Sequence, residues 1–276
     1  MKTWLITGCS TGLGRDLAEA VLAHGDNVVV TARNVDSVDD IAGRFPDTAL
    51  AVALDVTDDE QVNTVVGAGI DRFGSIDVLV NNAGYGYRAA VEEGEDDAVR
   101  RLFDTHVFGT MRTVKAVLPG MRERRSGTIV NLSSIGARIS PAGSGYYSAV
   151  KAAIEALTLS LRREVSPLGI RAVAVEPGAF RTDFAGRSLT QSEVPIADYA
   201  DTAGARRLEN DTAHGTQAGD PTRAAAVLIQ AIESDDPPFM LLLGNDSVDA
   251  FRGALDSLLS DVDAWEVVSR STDFDS

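Results

Sequence analysis

Thr7-Gly8-Cys9-Ser10-Thr11-Gly12-Leu13-Gly14 is the stretch on which the reading of this chain turns. Ahead of it stands a short apolar run, residues 3–7, and behind it Leu13, Leu17 and Val21 repeat every fourth residue, the core stripe of a helix. The chain therefore opens strand, turn, helix. Glycines in such a turn let backbone N–H groups and the positive end of the helix face outward, where an anionic phosphate is favoured. Gly8, Ser10, Thr11, Gly12, Leu13 and Gly14 are thus the candidate phosphate cradle, with glycines spaced by three residues and then one, unlike G-x-G-x-x-G. The same residues spell G-x-S-x-G, the nucleophile-elbow pattern of serine hydrolases, with His214 downstream in the right order. An elbow needs an oxyanion-hole loop after an earlier strand, and the nine residues ahead of Ser10 leave no room for one.

Outward from the turn, residues 27–31 and 49–54 are apolar or β-branched runs without polar alternation, as parallel strands covered on both faces read. Thr57 with Glu60 predicts a capping box that opens a helix to about Phe73, and residues 76–80 give the next apolar run. Further runs at 128–132, 170–175 and 239–243 alternate with helical patterns near 96–125, 146–166 and 221–233. This rhythm predicts an α/β chain with a doubly wound, parallel, seven-stranded sheet and helices on both faces, one domain over 1–276. The polar, weakly periodic stretch from about 182 to 220 reads as a lid. After the last strand, Val248, Phe251, Leu255, Leu258, Val262 and Trp265 recur at three to four residues, predicting a helical extension over about 245–276 that docks on the body and ends in a frayed tail.

Composition narrows the function classes. With 44% hydrophobic and 24% charged residues among 276, the chain is an ordinary globular one, neither disordered nor collagen-like. Forty-one acidic against twenty-five basic residues give a net charge of −16, which repels nucleic acid and anionic membranes. Only three of the basic residues are lysine. The single cysteine, Cys9, closes no internal disulfide, and no Cys and His cluster has zinc spacing, so no metal site and a reducing, cytoplasmic setting are expected. The opening MKTWLITG is too short for a secretion signal and no run reaches membrane-spanning length, so the expectation is a soluble chain that starts directly with its fold.

A second constellation comprises Ser134, Tyr147 and Lys151, in NLSSIGARISPAGSGYYSAVK. Tyr147 and Lys151 stand four apart on a predicted helix, sharing a face, so the ammonium can favour the phenolate of a group that otherwise titrates near pH ~10. Ser134, at a strand end, would donate to a carbonyl oxygen as negative charge develops on it. With these motifs the chain resembles the short-chain dehydrogenase/reductase family. TGxxxGxG stands at 7–14, NNAG at 81–84, the serine at 134, YxxxK at 147–151 and PG at 177–178, in order and register. The tail helix is similar to that of bacterial members near the 17β-hydroxysteroid dehydrogenase type 1 branch.

The resemblance implies a sheet of order 3-2-1-4-5-6-7, a nicotinamide cofactor, and hydride transfer coupled to a proton from Tyr147. By it Asp55 and Val56 flank the adenine, Asn82, Ala83 and Gly84 support the ribose side, and Phe180 and Thr182, after Pro177-Gly178, hold the carboxamide. It also implies a homodimer or homotetramer built on the helices near 96–125 and 146–166. One position departs from the pattern: His106 stands where the family carries an asparagine that holds a water linking Lys151 to solvent. Imidazole can anchor a water or carry a proton itself, and an unperturbed one would add an inflection near pH ~6.5 to turnover.

Cofactor choice is read at the end of the second strand. Ala32, eighteen residues beyond Gly14, replaces the carboxylate that would hold a ribose 2′-hydroxyl, and Arg33 beside it suits a 2′-phosphate, with Ser10 able to add a hydrogen bond. NADP(H) is expected over NAD(H). Tyr85, Tyr87, residues 135–141 with Arg138, and Phe184 are expected to line a pocket for an apolar carbonyl or alcohol substrate. Two other readings share the motifs: an NADP-binding regulatory or scaffold protein, and an epimerase or dehydratase with transient hydride chemistry.

Overall fold

The computed structural model describes residues 1–186, 188–208 and 215–274. Its strands are β1 (Thr3–Ile6), β2 (Asn27–Ala32), β3 (Ala49–Ala53), β4 (Val78–Asn81), β5 (Gly86–Arg88), β6 (Gly127–Leu132), β7 (Ile170–Pro177), β8 (Leu189–Gln191) and β9 (Met240–Leu243). Seven of them form one parallel sheet in the order β3-β2-β1-β4-β6-β7-β9, which is the expected 3-2-1-4-5-6-7 once the short β5 and β8 are set aside. Those two pair with each other, parallel, outside the sheet.

The strands read as unbroken apolar runs because both faces are covered. Trp4, Ile6, Val28 and Val30 face one core with Leu17 and Val21 of α1 (Gly12–His24) and Leu228 and Ile232 of α8 (Pro221–Glu233). Leu5, Val29 and Leu79 face the other, with Val65 of α3 (Asp59–Phe73), Val117 of α5 (Gly109–Arg124) and Leu161 of α7 (Gly145–Val165). Trp4 is satisfied within this core, its indole N–H donating to Asp26 Oδ2 at 3.0 Å. Strand order reverses between β1 and β4, and the crevice at their C-terminal ends is where an open α/β sheet receives a ligand. The glycine turn follows β1 there and Asn82-Ala83-Gly84 follow β4.

Three sequence expectations need correction. The cap of α3 is Asp58, whose Oδ1 accepts from the N–H groups of Glu60 (2.9 Å) and Gln61 (3.1 Å). Thr57 is instead engaged with Asp55, hydroxyl to Oδ1 at 2.7 Å, so the capping box at Thr57 does not form. The helical pattern of 96–125 is two helices, α4 (Asp96–Phe103) and α5, joined by a π-helical turn, Asp104–Phe108, that places His106 at its centre. The last helix, α9 (Asn245–Arg270), docks only by its first turns, through Ser247, whose hydroxyl donates to Glu176 O at 2.7 Å, and Phe251, which lies over the Arg138 guanidinium at 5.4 Å. Beyond them Leu258, Val262 and Trp265 are 60–64% exposed, because periodicity fixes which side chains share a face but not what that face meets. Two short helices, α2 (Asp39–Arg44) and α6 (Gly136–Ile139), were below the length that periodicity resolves.

Candidate active site

The floor of the site is backbone held by side chains. Gly8 and Gly12 take left-handed φ of 73° and 62°, which L side chains rarely adopt. A Cβ on Gly8 would lie 2.9 Å from Ala83 Cα, and one on Gly14 would lie 2.5 Å from Gly8 O. Thr7 Oγ1 accepts from the N–H groups of Asn82 (3.0 Å) and Ala83 (2.9 Å), and Asn82 Nδ2 donates to Thr7 O and Gly8 O, each at 2.9 Å. The Asn82 amide thus locks the turn to the loop after β4. Thr11, the N-cap of α1, makes no side-chain cap, and the first turn of α1 carries no acid. The positive helix end is therefore left for a ligand's negative charge, and the cradle fits a dinucleotide phosphate. Cys9 sits inside the turn, buried, its N–H donating to Thr31 O (2.7 Å) and its thiol to Ile6 O (3.2 Å), and burial pushes that thiol up to about 12.

The same sheet edge carries the other candidates for the cofactor. Ala32 ends β2 buried, and Arg33 follows it exposed. Asp55, just past β3, accepts from Thr57 N at 2.9 Å, while Val56 is buried and would lie 2.7 Å from a Cβ on Gly109. Pro177 ends β7, and Gly178 N donates to Leu243 O at 2.9 Å. The half-buried Phe180 ring packs against the body, and a Cβ on Gly219 would lie 2.7 Å from it. Thr182 accepts from Phe184 N (3.3 Å), and its Cβ would stand 3.4 Å from a Cβ on Gly12, so the segment after β7 begins directly over the turn.

Above this floor stand Ser134, Tyr147 and Lys151. Lys151 Nζ donates to Leu132 O at 2.7 Å and lies 5.6 Å from the Tyr147 ring centre. Burial pulls the ammonium down to about 7, and the charge of Glu155 one turn further along α7 partly restores it. Burial raises Tyr147, while the Ser134 hydroxyl bond and the charge of Arg88 draw it back. Lys151 Nζ and the Arg88 guanidinium both stand near the Tyr147 ring, at 5.6 and 5.7 Å from its centre.

His106 is fully buried in the π-helical turn, its ring edge-on to Tyr147 at 6.0 Å. Nε2 meets both Tyr85 N (3.1 Å) and Tyr85 O (2.8 Å), and Nδ1 has no partner. A Cβ on Gly84 would lie 2.9 Å from Nδ1, so the glycine of NNAG makes room for the imidazole. Burial, with the Lys151 charge, pushes His106 well below its ordinary range. That direction favours the neutral ring.

The pattern of a short chain dehydrogenase matches residues 2–193. The chain belongs to the short-chain dehydrogenase family. It is an oxidoreductase, similar over 97% of its length to the oxidoreductase BOA17 of Botryotinia fuckeliana, 36% identical over 271 residues that span 98% of that protein. A short-chain dehydrogenase structure from Streptomyces avermitilis superposes with a TM-score of 0.92 at 46% identity, covering 99% of this chain and 100% of that one. Two structures at 26% identity and TM-score 0.72 carry nicotinamide dinucleotides. They are an alcohol dehydrogenase from Thermococcus sibiricus with 5-hydroxy-NADP (88% and 96% covered) and a 3-ketoacyl-(acyl-carrier-protein) reductase from Brucella melitensis with NADH (87% and 96%).

The substrate side of this short-chain dehydrogenase differs from the sequence reading. Phe184 lies 5.8 Å from the Tyr147 ring as expected, but Tyr87 is buried with Leu102 and Val150 and bonded to Glu95. Arg138 is turned toward Glu155, Glu176 and Phe251. Both are withdrawn from the pocket lining. Arg88, which the sequence reading passed over, is the residue the structure adds. The available signal was slight, a long cation at the end of a short extended run. His214 lies outside the described residues. Among the described residues no group of acids, histidines and cysteine could hold a metal, and no helix is long and apolar enough to cross a membrane.

Proposed function

We propose that this short-chain dehydrogenase uses NADP(H) to reduce a ketone or aldehyde to an alcohol, or runs the reverse reaction, with Tyr147 as general acid–base. The observation that carries this reading is the Tyr147 phenol, bonded to Ser134 and backed by Lys151, standing over a glycine turn shaped for a dinucleotide. When bound, the dinucleotide supplies a hydride for the carbonyl carbon. The chain's own residues do the rest. Ser134 donates to the carbonyl oxygen, Tyr147 gives it a proton, and Lys151 restores that proton. Gly8, Ser10, Thr11, Gly12, Leu13 and Gly14 would hold the pyrophosphate, Asp55 and Val56 the adenine, and Asn82, Ala83 and Gly84 the ribose side. Pro177, Gly178, Phe180 and Thr182 would hold the carboxamide. Arg33, with Ala32 in the carboxylate place, favours a 2′-phosphate.

The segment from 182 serves as a lid over an apolar substrate body beside Phe184. Two copies at least associate through α4, α5 and α7, which a monomeric mass by light scattering at micromolar concentration would disprove. A buried thiol and an acidic surface suit a reducing cytoplasm. The test is NADPH consumption over a panel of ketones and aldehydes, with NADPH fluorescence as the binding control. Turnover supports the reductase, whereas tight binding with no turnover across the panel selects the regulatory reading instead.

A further inference from the structure

The alternation of β5 puts Gly86 and Arg88 on one face and Tyr87 on the other. A Cβ on Gly86 would lie 3.3 Å from Phe184, so the Arg88 face is the one turned toward the segment after β7 and the phenol. The Arg88 guanidinium lies 5.7 Å from the Tyr147 ring centre. The residue is 7% exposed, it forms no ion pair among the described residues, and Nε and Nη1 are buried without an acceptor. These two nitrogens carry three of the five guanidinium N–H donors. Burial pulls this guanidinium below its ordinary range, and the charge of Arg206 lowers it further.

A buried cation without an anion is costly to a fold. The chain is otherwise acidic, with sixteen net negative charges, yet among the described residues no carboxylate pairs with this arginine.

We propose that Arg88 binds a carboxylate on the substrate, so that the compound reduced is a keto acid whose apolar body lies against Phe184 and whose carboxylate sits within a few bonds of the carbonyl that Tyr147 protonates. This deepens the reductase reading and rests on it. The step adds a hydride to the carbonyl carbon and the Tyr147 proton to its oxygen, giving a hydroxy acid and oxidised dinucleotide, with the carboxylate unchanged. The planar fork of arginine matches a carboxylate with two parallel hydrogen bonds, which a neutral ester cannot reproduce.

The test compares acetylbenzoate and levulinate with their methyl esters, in the full-length protein with NADPH. Wild type should favour each acid, and Arg88→Met should lower kcat/KM for the acids by about 10- to 100-fold more than for the esters, the range of a charge-assisted bond. A residue serving only Tyr147 would instead depress acid and ester alike and shift the pH profile of both, which overturns the proposal. So does a wild type that prefers the esters. Melting curves give the independent readout: acetylbenzoate should raise the Tm of wild type but not of Arg88→Met, and the ligand-free variant should melt no lower than wild type, because an unpaired buried charge has gone. Arg88→Lys covers the case in which methionine is not tolerated. It should fold, keep ester turnover and recover only part of the acid rate. No turnover on either member of any pair, with acid-dependent melting intact, would remove the reductase reading and leave the anion site standing; loss of both removes both.

Discussion

The floor of the site and its substrate wall are built on opposite terms. In the floor, Thr7, Asn82 and the glycine turn satisfy one another through hydrogen bonds of 2.9–3.0 Å, and the shape is complete without any ligand. In the wall, two nitrogens of Arg88 and Nδ1 of His106 are buried without a partner. A floor of this kind suits a molecule held in one fixed pose. Unpaired groups in a wall mark where the incoming molecule finishes the hydrogen bonding, and there specificity is decided.

The largest expected effect lies where floor and wall meet. Tyr147→Phe should lower reduction by about 10²- to 10⁴-fold, the worth of a placed general acid, with NADPH affinity held within about threefold. Turnover close to wild type would show that the proton comes from the wall or from solvent, and the division drawn above would fail. Next, Arg33→Ala tests the floor at its exposed rim: NADPH should bind about 10- to 100-fold more weakly while NADH is little changed. Equal loss of both cofactors would make Arg33 structural.

A third test separates the two buried bases of the wall by pH. With Lys151 near 7, reduction should fall as pH rises through about 7, since the group behind Tyr147 then loses its proton. Glu155→Gln removes the charge that holds Lys151 up, so the fall should move to lower pH. His106→Asn should leave its position unchanged because burial favours the neutral imidazole, and a shift there would place histidine in the proton path. The smallest effect belongs to the outer part of α9. Trp265→Ser, at a side chain 64% exposed, should alter stability by no more than about 0.5 kcal/mol in urea unfolding. A loss of about 2 kcal/mol would mean that this face is covered in solution.

The sheet order and the floor were legible because backbone geometry writes itself into sequence. Positive φ demands glycine at 8 and 12, and strands covered on both faces show as unbroken apolar runs. The wall was less legible because it is made of single side chains brought together from distant elements. Arg88 reads as an unremarkable cation until β5 and α7 set it beside Tyr147. The helix near 96–125 hid its π-helical turn because one extra residue in a turn leaves the apolar spacing on either side intact. Thr57 and Asp58 were both competent caps, and the bond from Thr57 to Asp55 decided between them.

Cys9 turns the glycine turn into its own clock. A free thiol titrates near pH ~8.5 and is alkylated readily in mild base, whereas this one, buried and near 12, is protected for as long as the turn is closed. Because it is the only cysteine in the chain, the rate at which a thiol reagent consumes it counts openings of the cradle and of nothing else. A dinucleotide seated in the cradle would slow that count in proportion to its occupancy. Cofactor affinity is thereby open to measurement by mass change alone, with no substrate, no turnover and no label added to the protein beforehand.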